Sequence, residues 1–196
     1  MDLRAPLQLQ SVIKSMTDVV LPAIDPHNRM AQEQAQLILG MLHLLAQRLP
    51  LQFHYDVDEL QRYVGLSSQL LGSAHGGPAT TQQLAQLEGA AAEGARVLAG
   101  AQLAPATLEA TVLALRNDIS ALIRAVWEDG APECRPSTHA AVMDAAKAQI
   151  LRERAWFQPQ GWDADPTAYP AIETLLNPFT DTSPKDPPYP NPEHPR

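Results

Sequence analysis

The chain has 196 residues and a net charge of −8, with no run of lysines or arginines, which argues against the phosphate-neutralising surface that nucleic-acid binding needs. Cys134 is the only cysteine, so no disulfide within the chain can staple the fold, which fits a reducing compartment. The longest apolar stretch, Leu37 to Leu45, is broken by Gly40 and His43 and falls short of the roughly 20 residues that span a bilayer. Met1 to Pro6 also lacks the apolar run of a signal peptide, so the expectation is a soluble cytoplasmic protein.

In chain order, Leu9, Val12, Ile13, Met16, Val19 and Val20 recur at helical spacing and predict a first helix ending near Pro22. Asp25-Pro26 reads as N-cap and first-turn proline of a second helix, running to Leu49 before Pro50. Its residues Leu37, Ile38, Leu39, Met41, Leu42, Leu44 and Leu45 cover more than one face, and a helix apolar nearly all round is expected at the centre of a fold. Asp56 and Glu59 match a capping box for a third helix through Val57, Leu60, Tyr63, Val64, Leu66, Leu70 and Leu71. Gly76-Gly77-Pro78 breaks it, and Thr80 with Gln83 opens a fourth helix along Leu84, Leu87, Ala91 and Leu98. Gly89, Ala90, Ala91, Ala92, Gly94 and Ala95 crowd that helix with small side chains, as suits close approach by another helix.

Pro105 starts a fifth helix in which Leu108, Val112, Leu115, Ile119, Leu122 and Val126 alternate by four and three, a bundle seam. Gly130-Ala131-Pro132 ends it. Pro136-Ser137 opens a sixth, with Val142, Met143, Ala146, Ile150 and Leu151 as its stripe. No segment alternates with β-branched enrichment. Short links between long amphipathic helices favour antiparallel neighbours. The predicted fold is all-α: an up-and-down bundle of five or six helices over residues 1–157.

Residues 158–196 form a different region. Ten of the chain's 18 prolines lie from Pro159 to Pro195, and such spacing forbids long helices and favours extended chain. Six of the ten aromatics, namely Trp156, Phe157, Trp162, Tyr169, Phe179 and Tyr189, fall near or within this arm. Acidic disordered tails are poor in aromatics, so Trp156 to Leu176 is expected to dock. The anchor candidates are Trp156, Phe157, Trp162, Tyr169, Leu175, Leu176 and Phe179. They fit an arm that packs on its own body or a neighbouring chain, in a homo-oligomer or a complex with a protein partner.

No catalytic, metal or cofactor motif stands out. His43 among leucines reads as a core histidine, or as part of a small-molecule pocket beside the second helix. Asp25, His27, Asn28 and Arg29 make the densest mixed polar group in the body. They read as capping residues or as the rim of that pocket. His54, Asp56, Asp58 and Glu59 are metal-ligand types, but carboxylates in a first turn also complement the helix dipole. Arg116 and Arg124, eight apart on the fifth helix, face one way as an anion site or a solvated edge.

Val20-Leu21-Pro22-Ala23-Ile24, then Arg29 and a helix rich in Ala and Leu, resembles a small bacterial α-helical family of uncharacterised function. Genes of that family lie beside acyl-CoA dehydrogenase-like and aminoglycoside-phosphotransferase-like genes. The resemblance covers the first half of the chain, and the arm after Trp156 departs from it. It implies no catalytic residue and favours an accessory role beside enzymes.

Overall fold

A computed structural model describes residues 4–176. Among these the chain is all-α, with no strand. Helix α1 spans Ala5–Ser15 and runs on through a π-helical turn, Met16–Val20, into a last short piece, Leu21–Ala23. Then follow α2 (Arg29–Arg48), α3 (Gln52–Ser73), α4 (Pro78–Leu98), α5 (Pro105–Asp129), α6 (Arg135–Phe157) and the single turn α7 (Ile172–Leu175). No described helix is long and apolar enough to cross a membrane.

The core lies between α3, α4 and α5. All six seam residues of α5, Leu108, Val112, Leu115, Ile119, Leu122 and Val126, are buried. They meet Val57, Leu60, Leu66 and Leu70 of α3 and Leu87, Ala91 and Val97 of α4. Each such side chain contributes about 1.5–3 kcal/mol on burial, which makes this seam the main source of cohesion. Gly94 lets α3 and α4 approach closely: a Cβ there would stand 2.8 Å from Cγ2 of Val64. Gly89, by contrast, has open space around it, so only part of the small-residue run serves close packing.

The α3–α4 link is tied to the end of α5. The Asp129 carboxylate accepts from the backbone N–H of Ala79 (2.7 Å) and Thr80 (2.9 Å) and from the Thr80 hydroxyl (2.6 Å). The capping group of α4 thus comes from a residue some fifty positions away rather than from the Thr80–Gln83 box. Those hydrogen bonds, the Thr80 hydroxyl first, hold the Asp129 carboxyl below its ordinary range. Gly76 makes this contact possible: a Cβ on it would fall 2.5 Å from Cα of Gly130 and 2.8 Å from the Asp129 carbonyl oxygen. Backbone atoms cannot swing aside, so Gly76→Ala is expected to cost about 1–3 kcal/mol as overpacking. Gly89→Ala, in open space within a helix, should instead stabilise by about 0.5–1 kcal/mol. Urea midpoints moving in the same direction for both would contradict this account.

Several helix boundaries differ from the sequence reading, each for a local reason. The first helix ends at Ala23, next to Pro22 as expected, with Pro22 itself inside its last piece. The π-helical turn pairs Leu21 N–H with Met16 O just before it, so the missing proline donor is absorbed and the helix runs on to Ala23. The N-cap of α2 is Asn28, whose side chain accepts from Ala31 N–H. Asp25 accepts from His27 N–H in a turn of its own. Pro50 sits in a 3-10 turn, Leu49–Leu51, that leads directly into α3, so Asp56 lies inside a helix and bonds Gln52 at 2.8 Å. Helix α2 is not central. Of its apolar residues only Ala35 and Leu44 are buried, while Leu37, Ile38, Met41 and Leu45 are 41–57% exposed. On α6 the buried residues are Thr138, Arg152 and Ala155. Met143, Ala146 and Ile150 of the expected stripe face solvent.

Candidate functional site: a clamped arm, a cleft and an open helix face

The arm folds back on its own body. After α6 come the 3-10 turns Gln158–Gln160 and Pro166–Ala168. Between them Gly161 adopts φ +67°, a left-handed conformation that favours glycine and reverses the chain. Helix α7 then returns to α3 and α6. Ile172 (0% exposed), Leu176 and Ala155 form a second small core with Leu51, Tyr55, Trp156 and Leu175.

Three arginines hold this core. Arg48, buried at the end of α2, donates from Nε to Trp156 O (2.9 Å) and from Nη2 to Ala155 O (3.1 Å). It thereby satisfies carbonyls that the end of α6 leaves without helical partners and puts a cation at the negative end of that dipole. Its third nitrogen lies 3.7 Å from Glu173 on α7. Arg62 bonds Asp58 at 2.7 Å and donates to Leu175 O at 2.8 Å, capping α7 in turn. Arg152 donates to the same Asp58 oxygen and to Gln149, and lies 5.2 Å from the Tyr55 ring. The side chains of Asp58 and Arg152 are 1% and 3% exposed. Asp58 is thus a buried carboxylate receiving two guanidinium groups.

The expected arm anchors divide. Trp156 is half-buried, its ring 4.8 Å from Tyr55. Tyr169 is half-buried beneath Arg154, whose guanidinium stands 4.3 Å from the ring. Leu175 is half-buried and Leu176 buried. Phe157 and Trp162 are a correction: they stack on each other at 5.8 Å but remain 39% and 65% exposed, so they pin little. Phe179 lies outside the described residues. The strongest anchor, Ile172, was missed, although Ile172, Leu175 and Leu176 carry the i, i+3, i+4 spacing of one helical face.

A cleft of about 720 Å³ opens between α3, α5 and α6. Leu66, Ile119, Ile123 and Val142 supply apolar walls, and Arg62, Tyr63, Arg116 and Arg152 gather in the same lining. Nearby, burial pushes the Glu59 carboxyl up while Arg152 and Arg116 draw it back. Burial likewise raises the Tyr63 hydroxyl. Arg116 reaches this cleft and Arg124 does not line it. Among the described residues no three His, Cys, Asp or Glu side chains converge as a metal site; Asp58 turns into the core and His54 faces solvent.

His43 is exposed on α2, a correction to its reading as a core histidine: it falls on the polar edge, with Gln36 and Gln47, that α2 turns outward. A shallow recess of about 860 Å³ does lie beside α2, lined by Leu21, Arg29, Glu33, Leu37, Gly40, Gln160 and Trp162 among others. Arg29 belongs to it; Asp25, His27 and His43 do not.

Helix α2 therefore has three occupied or polar sides and one bare one. Ala31, Ala35, Leu39, Leu42 and Ala46 are buried or half-buried along one side of α2, and α2 packs against α1, which contributes no buried residue of its own. Gln160 donates to Gly40 O at 2.9 Å from the arm side. Met30, Leu37, Ile38, Met41 and Leu45 share the remaining sector with Gln34 and are all exposed. No charged side chain shares that exposed stripe. No family model matches this chain, and no curated protein or solved structure matches it.

Proposed function

We propose that this chain is a non-catalytic accessory protein that binds another protein surface through the open face of α2, with the arm bracing that helix from behind. The observation that carries the reading is the row of exposed Met30, Leu37, Ile38, Met41 and Leu45 on one helix. Scattered apolar residues on a surface need no explanation, but a contiguous stripe of this size marks an interaction site. The brace supports it. Arg48 at the end of α2 is bonded to the last carbonyls of α6, so the face is presented in a fixed setting and little ordering entropy is lost on binding. The resemblance of residues 9–49 to a helical family of uncharacterised function, whose genes lie beside enzyme genes, is in keeping with this reading.

Leu37→Glu with Met41→Glu should abolish association by the protein as isolated while leaving its far-ultraviolet helicity unchanged. Both residues are exposed, so the fold does not depend on them. Association surviving both charges would contradict the proposal.

The cleft supports a second reading, a small-molecule-binding bundle. Its volume falls within the usual range for ligand pockets, and guanidinium groups meet apolar walls there. That reading expects an organic molecule to co-purify and to be released on denaturation; a clean small-molecule mass spectrum contradicts it.

A further inference from the structure

We infer that the occupant of the α2 face is a second copy of this chain, laid antiparallel across it about a two-fold axis. This rests on the interaction reading and names its partner. Three observations point to a copy rather than an unlike protein.

The first is the spacing of the stripe. Its members are Met30, Gln34, Leu37, Ile38, Met41 and Leu45. Reflected about the midpoint between Leu37 and Ile38, Met30 exchanges with Leu45 and Gln34 with Met41. An antiparallel copy therefore sets Met30 against Leu45 and Leu37 against Ile38, apolar on apolar, with Gln34 facing Met41, a register in which one patch meets itself as in an isologous contact.

The second is charge. The chain carries −8, so two copies repel wherever they meet through acidic surface. The stripe carries no ionised side chain. Arg29 and Glu33, the charged residues in the first turns of α2, line the recess beside that helix. An uncharged face is where a strongly acidic protein can meet itself at least electrostatic cost.

The third is the state of the hairpin. Helix α1 has no buried residue, so α1 and α2 together lack a core of their own. A two-helix layer stacked on its copy makes a four-helix arrangement, in which the facing sides of both layers form a shared core. The size is adequate. Helix α2 has 20 residues and so is about 30 Å long. With α1 beside it at about 8–10 Å, the slab covers about 600 Å² in plan, close to the roughly 800 Å² per partner that stable dimers bury.

Sedimentation equilibrium of the full chain, and of its Met41→Glu variant, tests this. The expected result is a species of twice the 21.3 kDa chain mass for the parent. The variant should run as a helical monomer, its dissociation constant raised at least a hundredfold. A parent that stays monomeric to about 100 µM, a concentration well above that of a standard-sized specific interface, overturns the inference. So does a dimer indifferent to Met41→Glu, because its contact lies elsewhere. The monomeric outcome leaves the broader reading separately testable. If Met41 of that monomer is nonetheless shielded from oxidation in an extract of its source, the partner is an unlike protein; if it is not, both readings fail.

Discussion

Asp58→Ala is expected to destabilise the protein by about 3–5 kcal/mol, because it strands a buried guanidinium without its carboxylate. Arg152 is 2% exposed overall, and Asp58 and Gln149 are its side-chain hydrogen-bond partners. Arg62, which also leans on Asp58, loses the group that aims it at Leu175 O. The cost should be much smaller when the cation goes too. Asp58→Leu with Arg152→Met should recover much of the loss, since replacing a buried ion pair by apolar groups of similar volume is often neutral or better. Urea unfolding of Asp58→Leu, of Arg152→Met and of the variant with both gives the coupling directly. A single-variant loss under about 1 kcal/mol would mean that water reaches Asp58 and that the junction of α3, α6 and the arm is not sealed.

Ile172→Ala is expected to release the arm without unfolding the bundle. Ile172 is fully buried, and truncating such a residue costs about 2–5 kcal/mol. Among the described residues the arm's small core has Ala155, Ile172 and Leu176 as its buried members, so a loss of that size removes much of what holds α7 down. Amide exchange separates local from global effects. Protection over residues 168–176 should fall by at least thirtyfold, while the amides of α5 keep theirs. Equal loss in both regions would make the arm part of the main cooperative unit. No loss in either would mean that the arginine caps alone hold it.

The parts of the fold that were legible in the sequence are those where pattern and burial coincide. The α5 seam was complete because every residue of its four-three alternation faces the core. Misreadings arose where a helix is only half used. The apolar residues of α2 suggested a central helix, yet one side of that helix is bare. Periodicity records which residues are apolar, and it cannot say whether a partner surface lies within the same chain. Pro22 and Pro50 do mark where α1 and α2 end, at Ala23 and Arg48, but the π-helical and 3-10 turns that accommodate them, and the direct entry of the second into α3, leave no separate mark in composition. The arginine clamp was invisible for a related reason. Arg48, Arg62 and Arg152 are 14 or more positions apart and look like ordinary surface charges until the fold brings to them the last carbonyls of α6, the Leu175 carbonyl of the arm and the Asp58 carboxylate. Asp58, a first-turn carboxylate by its sequence position, accepts from two of them, Arg62 and Arg152.

The central claim is that the open α2 face is covered when the protein is at work. Oxidative footprinting of methionines tests it most directly, because the molecule carries its own control. Met30 (72% exposed) and Met41 (41%) lie on the face, and Met143, also 41% exposed, lies on α6 away from it. In the protein as isolated, at high concentration, oxidation of Met41 should slow several-fold relative to its rate after dilution, while Met143 is unchanged. Met41 and Met143 oxidising in the same ratio under both conditions would contradict the claim, because nothing would then be covering the face.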